Sequence, residues 1–183
     1  MFVEANGAPV ASKLAAQDSD AISDSFHLLS LRLTRLLELN LEMSSERSSD
    51  RMLILFCGLS REIMHCTYAG VGILDEESQR IKCWTTVGLD EEAQKLFASL
   101  DPRAGVLGQV IASGKPHRVR DQSGEATTLG LPAFHPAITS LLVVPVPVRS
   151  PMTWVGWLYF ADKLRDGSFG NEDEQFAATL DAQ

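Results

Sequence analysis

Two extended runs, about Ile138 to Arg149 and Thr153 to Lys163, are separated by only three residues. So short a connection cannot carry a crossover, and the two runs must fold back on each other as an antiparallel hairpin. Along the second run Trp154, Gly156, Leu158 and Phe160 point one way, and Val155, Trp157, Tyr159 and Ala161 the other. An earlier pair, about Ala69 to Asp75 and Arg80 to Val87, is joined by the polar turn Glu76-Glu77-Ser78 and reads as a second hairpin. On its second strand Ile81, Cys83 and Thr85 are expected on one face, and Lys82, Trp84 and Thr86 on the other.

Helical patterns fill the spaces between the strands. Ile22, Phe26, Leu29, Leu33, Leu36, Asn40 and Met43 recur at alternating steps of four and three, a heptad seam that predicts dimerisation, with Asn40 fixing register. Leucines at 28, 31, 37, 39 and 41 widen the apolar surface, so packing on the chain's own domain is the alternative. Ser44 to Asp50 supply a break and a new N-cap, and Met52, Phe56, Leu59, Ile63 and Cys66 form the stripe of a second helix. Leu89 to Leu100 reads as a short acidic helix, and Gly105 to Ser113 as another that ends at Gly114 in a left-handed cap. After a brief strand from Pro116 to Arg120 comes a polar loop with Gly124, Thr127, Thr128, Gly130, Pro132 and Pro136. At about 17 residues it exceeds ordinary connections and reads as functional. Asn171 begins a last helix, whose Glu172, Asp173 and Glu174 complement its dipole.

Hairpins and short helices in this order predict an α/β (α+β) fold. A central antiparallel sheet carries helices on one face and a loop-covered ligand pocket on the other, and a long N-terminal helix precedes it. The expected divisions are a flexible leader over 1–19, a dimerisation helix over 20–45 and the sheet domain over 46–183. A net charge of −8 argues against nucleic acid or anionic lipid as a partner, and the basic cluster His117, Arg118 and Arg120 is too short to change that. Without a long apolar run or a signal-like N-terminus, the expected location is the cytoplasm. Cys57, Cys66 and Cys83 form no C-x-x-C pair, so neither a disulfide framework nor a zinc site is indicated.

Asp162-Lys163, Phe169 and Asp173-Glu174 resemble the Asn-Lys…Phe-x-x-x-Asp-Glu motif of GAF domains, with Asp162 in place of Asn. The segment from Gly105 to Pro116 is also similar to the passage beside the pocket in that family, and the resemblance spans about Asn40 to Gln183. Physically, Lys163 at a strand end can pair with an acid in the next helix above a buried Phe169, a structural role. The resemblance implies a cytoplasmic signal-input domain that regulates a kinase, cyclase or transcription output domain beyond this chain, as in two-component systems.

Within the family, Gly130-Leu-Pro-Ala-Phe-His135-Pro resembles the loop of dormancy-type oxygen and redox sensor histidine kinases. That likeness implies haem as cofactor, His135 as proximal iron ligand, Tyr159 as the distal hydrogen-bonding group and Trp84 as an aromatic wall. A cyclic-nucleotide pocket and a ligand-free dimerisation spacer are the alternative readings. Free methionine sulfoxide reductases share the fold and carry pocket cysteines. Here Cys57 and Cys66 are expected half a turn apart on one helix, which predicts no enzymatic activity.

Overall fold

The computed structural model describes residues 27, 30–75, 80–90, 101–120, 124–147, 154–165 and 167–180. Residues 30–45 are helical (α1), followed by α2 (Ser49–Met64), β1 (Cys66–Leu74), β2 (Ile81–Val87), α3 (Gly105–Ser113), β3 (His117–Arg120), a 3-10 turn (Ala126–Leu129), β4 (Ser140–Pro147), β5 (Trp154–Lys163) and α4 (Asn171–Leu180). The chain divides into two compact units, 1–38 and 39–183. The expected leader, the seam residues Ile22, Phe26 and Leu29, and residues 91–100 of the expected acidic helix lie outside the described residues.

Both expected hairpins form, and they meet in one sheet of order β2-β1-β5-β4-β3 in which every pair is antiparallel. Helix α2 packs on β1 and β2, and α4 contacts β4 and α2. Helix α3 and the 3-10 turn cover the opposite face, where Leu107, Val110, Leu129, Leu131 and Ile138 close over Leu141, Val143, Trp157 and Tyr159. Gly114 takes the left-handed cap expected of it, at φ 62°. No helix among the described residues is long and apolar enough to cross a membrane.

Three local readings change. Helix α2 ends at Met64, because His65 adopts a left-handed conformation (φ 48°) and its N–H bonds back to Glu62. Cys66 therefore opens β1 instead of closing the helical stripe, and the half-turn argument for separating it from Cys57 does not apply. In β2, Leu74 pairs with Ile81 while Ile73 pairs with Cys83, a bulge at Lys82 that turns Ile81 onto the same face as Trp84. On α1, Leu36 is buried while Leu33 and Asn40 are exposed and Met43 is half-buried, so these seam positions do not form one exposed stripe. The outward leucines are 31, 33, 37 and 41.

One buried ion pair fastens three elements. Lys163 Nζ lies 2.7 Å from Asp173 Oδ1 and donates to the Met64 carbonyl at 2.9 Å, while Asp173 Oδ2 accepts the Gly170 N–H at 3.0 Å. Phe169 is buried beneath the connection, 5.4 Å from the ammonium. Beside this pair, Asp162 sits at φ 55° and its carboxylate accepts the Thr139 N–H at 2.7 Å. A left-handed backbone and one side-chain oxygen acceptor suit Asp as well as Asn, which explains the departure from the motif.

Asp173→Ala strands a buried ammonium and is expected to cost about 3–5 kcal/mol, whereas replacing both partners by Met and Leu recovers most of that loss. Urea midpoints of the two variants check this. A Cβ at Gly72 would stand 2.6 Å from the Trp157 ring, so Gly72→Ala is expected to destabilise by about 1–3 kcal/mol in the same assay.

Candidate functional site

Side-chain alternation brings Tyr159 and Trp84, two of the three residues singled out in the sequence, onto one face of the sheet, and the long loop brings the third, His135, over it. Strand β5 presents Trp157 and Tyr159 there, and β2 presents Trp84 and Thr86. Between these strands β1 contributes Gly70 and Gly72, which pair with Tyr159 and Trp157 across one ladder and with Thr86 and Trp84 across the other. A Cβ on Gly70 would lie 2.5 Å from the Tyr159 ring and 3.1 Å from Thr86. The absent side chains let the aromatic rings lean across β1 toward each other. Trp84 stacks on Tyr159 at 5.7 Å with an interplanar angle of 29°, and tilts against Trp157 at 5.4 Å.

Tyr159 is fully buried, and its hydroxyl is 2.7 Å from Thr86 Oγ1, which itself lies 3.1 Å from the Ala69 carbonyl. A carbonyl only accepts, so Thr86 donates to Ala69 and Tyr159 donates to Thr86. Burial holds the phenol well above its ordinary pKa, so it stays protonated at neutral pH. Its proton is already committed within the sheet, and only its lone pairs face a newcomer.

His135 comes from the long loop. That loop is folded down by the 3-10 turn, by Gly130 in the left-handed region at φ 86°, and by hydrogen bonds from Leu131 N to Ala126 O and from Ile138 N to Gly124 O. A further turn, His135 N to Pro132 O at 2.9 Å, points the imidazole inward at 4% exposure. Its edges meet Tyr68 (centroids 4.9 Å) and Tyr159 (6.1 Å). Nδ1 is 2.8 Å from the Pro136 carbonyl and must carry the proton of that bond, which leaves Nε2 as a buried acceptor with no partner among the described residues. Burial lowers the pKa of His135 from the ordinary 6.5, keeping the ring neutral.

This geometry tests the expected haem. A neutral imidazole with a bare Nε2 has the right chemistry for iron. A haem held by His135 would place its macrocycle between that ring and Tyr159, bonded to the first through iron and in contact with the second across its other face, yet these rings already meet edge-on with centroids 6.1 Å apart. The residues as arranged do not admit a porphyrin there, and the tyrosine proton that would face a bound gas is held by Thr86. Among the described residues no cluster of three His, Cys, Asp or Glu side chains could hold a metal ion. The cysteines lie on the other side of the sheet or at its end. Cys57 approaches the Thr85 carbonyl and Cys66 that of Tyr68, and burial pushes both thiols up to about 12.

Tyr68, Thr86 and the two glycines complete the cluster and were not singled out in the sequence. Thr86 shares parity with Trp84, so alternation alone could have found it. Tyr68 falls one residue before the expected start of its strand.

No protein-family model matches the sequence. The solved structures similar to it include the GAF domain of an Acinetobacter phosphoenolpyruvate-protein phosphotransferase, at 22% identity and a TM-score of 0.67 over 83% of this chain and 89% of that one. A putative GAF sensor protein from Burkholderia vietnamiensis is 18% identical, with a TM-score of 0.62 over 85% and 91% of the two chains. Free methionine-R-sulfoxide reductase from Neisseria meningitidis in complex with its substrate is 17% identical, with a TM-score of 0.63 over 84% and 85%. With its all-antiparallel order β2-β1-β5-β4-β3 and helices on both faces, the chain has the GAF fold.

Proposed function

We propose that this chain is a cytoplasmic signal-input GAF domain that binds a small molecule between the His135 loop and the Tyr159–Trp84 wall, and so regulates an output domain elsewhere in a longer protein. The observation that carries this reading is the bare, buried Nε2 of His135, because a buried acceptor left without a partner costs stability and is retained where it has a use. A ligand offering a hydrogen-bond donor there would complete the site. Occupancy would displace the 130–138 loop, which runs directly into β4, and so bias the sheet and α4 between two arrangements.

The same reading assigns no catalysis to the chain. Cys57 and Cys66, held near 12, are almost wholly protonated at neutral pH and make poor nucleophiles, which supports a reading without thiol-dependent reductase chemistry. Dimerisation belongs to the proposal too, now through the exposed leucines 33, 37 and 41 of α1.

Thermal melts with haem, cyclic AMP, cyclic GMP and methionine sulfoxide test the site. A ligand seated on His135 raises the wild-type midpoint and loses that effect in His135→Ala. If none of these compounds moves the midpoint, the spacer reading gains over ligand binding. A Soret band that appears on adding haem and vanishes in His135→Ala would show that the loop withdraws to admit a porphyrin, against the closed geometry.

His135 also gives stability a pH dependence. In the unfolded chain it gains a proton as pH falls through about 6.5, whereas the buried ring resists until a lower pH. Stability attributable to this group is therefore full above 6.5 and declines below it, levelling off under the depressed native value. Urea midpoints measured from neutral pH down to about 5 should show that component in the wild type, and should lack it in His135→Gln.

A further inference from the structure

Strand β3 is the last in the sheet, and among the described residues no strand pairs with its outer edge. Four basic side chains, Lys115, His117, Arg118 and Arg120, fall within six residues at this edge, in a chain of net charge −8. The side chains of Lys115, His117 and Arg120 are exposed and make no ion pair or hydrogen bond among the described residues. Alternation sorts them further. Val119 packs inward on the aromatic face, so His117 shares that side, while Arg118 and Arg120 lie on the side of α4.

On the α4 side a groove of about 450 Å³ runs beside the strand, lined in part by Pro116, Arg118, Arg120, Ser168, Phe169 and Glu174. Its wall is fixed. Arg118 Nε is 2.7 Å from Glu174 Oε2, a second guanidinium nitrogen donates to Asn171 Oδ1 at 2.5 Å, and the third reaches the Phe169 carbonyl at 3.4 Å. Glu174 is thereby neutralised, and among the described residues Arg120 faces the groove with no ion-pair partner.

We infer that the outer edge of β3 is a docking site for an extended acidic segment of a partner protein, added as a sixth strand with carboxylates at alternate positions beside Arg120. An open strand edge offers backbone donors and acceptors to any extended chain, and the side chains beside it decide which chain is accepted. A second copy of this protein would bring two basic edges together, so the charges that exclude self-pairing select an acidic partner. Arg118 ties β3 to the first turn of α4, which places an occupant next to the strut between the sheet and the C-terminal helix.

Fluorescence anisotropy of labelled decapeptides in low-salt buffer tests this on the whole chain. A peptide alternating Glu and Thr should bind, and its Gln–Thr and Lys–Thr counterparts should bind at least about ten-fold more weakly. The double variant His117→Glu/Arg120→Glu, altered only at exposed positions, should keep the wild-type thermal midpoint and lose affinity by a similar factor. An equally acidic peptide with Pro at alternate positions should fail, since it cannot donate to the ladder. Equal binding by the neutral peptide, or by the charge-reversed protein, would overturn the acidic selection. Equal binding by the Pro-interrupted peptide would overturn strand addition. No binding of the Glu–Thr peptide would overturn the site altogether, without touching the reading of the His135 face.

Discussion

The ion pair between Lys163 and Asp173 is the constraint on which most of this architecture rests. The ammonium ends β5, the central strand, and reaches both the C-terminal carbonyl of α2 and the first turn of α4. The two consecutive elements β5 and α4 and the distant α2 thereby converge on one buried charge. Such a pair contributes little net free energy compared with an apolar replacement, but it does not tolerate a missing partner, so it specifies an arrangement more than it stabilises one. With that corner fixed, the opposite face of β5 is free to carry Trp157 and Tyr159 in a set orientation.

Much of the fold could be read before any coordinates. The three-residue separation of the last two runs forced one hairpin, the polar turn after Asp75 marked the other, and Gly114 and Asn171 fell at the helix boundaries proposed for them. What escaped the sequence were local exceptions to periodicity. The left-handed turn at His65 has no glycine to announce it, and the bulge at Lys82 becomes apparent only once the pairing of β1 with β2 is known. On α1 the heptad count was correct as arithmetic. It could not show which of the overlapping leucines are exposed and which are buried.

The candidate site was legible in its members but not in its state. The resemblance to the haem-binding loop named Tyr159, Trp84 and His135 together, while parity showed only which strand neighbours share a face with each. The sequence could not show that the tyrosine proton is already bonded to Thr86, that the imidazole is wedged between two tyrosines, or that its free nitrogen is Nε2. Those three facts separate a preformed slot for a large planar cofactor from a closed, polar-tipped cluster. They depend on distances of a few tenths of an ångström, which residue identities do not encode.

Gly70 and Gly72 give this face an unusual division of labour. In many pockets the floor is the sheet and the volume is set by the loops above it. Here two bare positions on β1 have already been filled by rings from its neighbours, so the sheet itself holds a reserve of space that is currently aromatic. Shortening residue 157 or 159 would open that reserve without moving any backbone. Related chains could therefore diverge in ligand size through single changes on β5 while keeping the same loop, the same helices and the same charged corner.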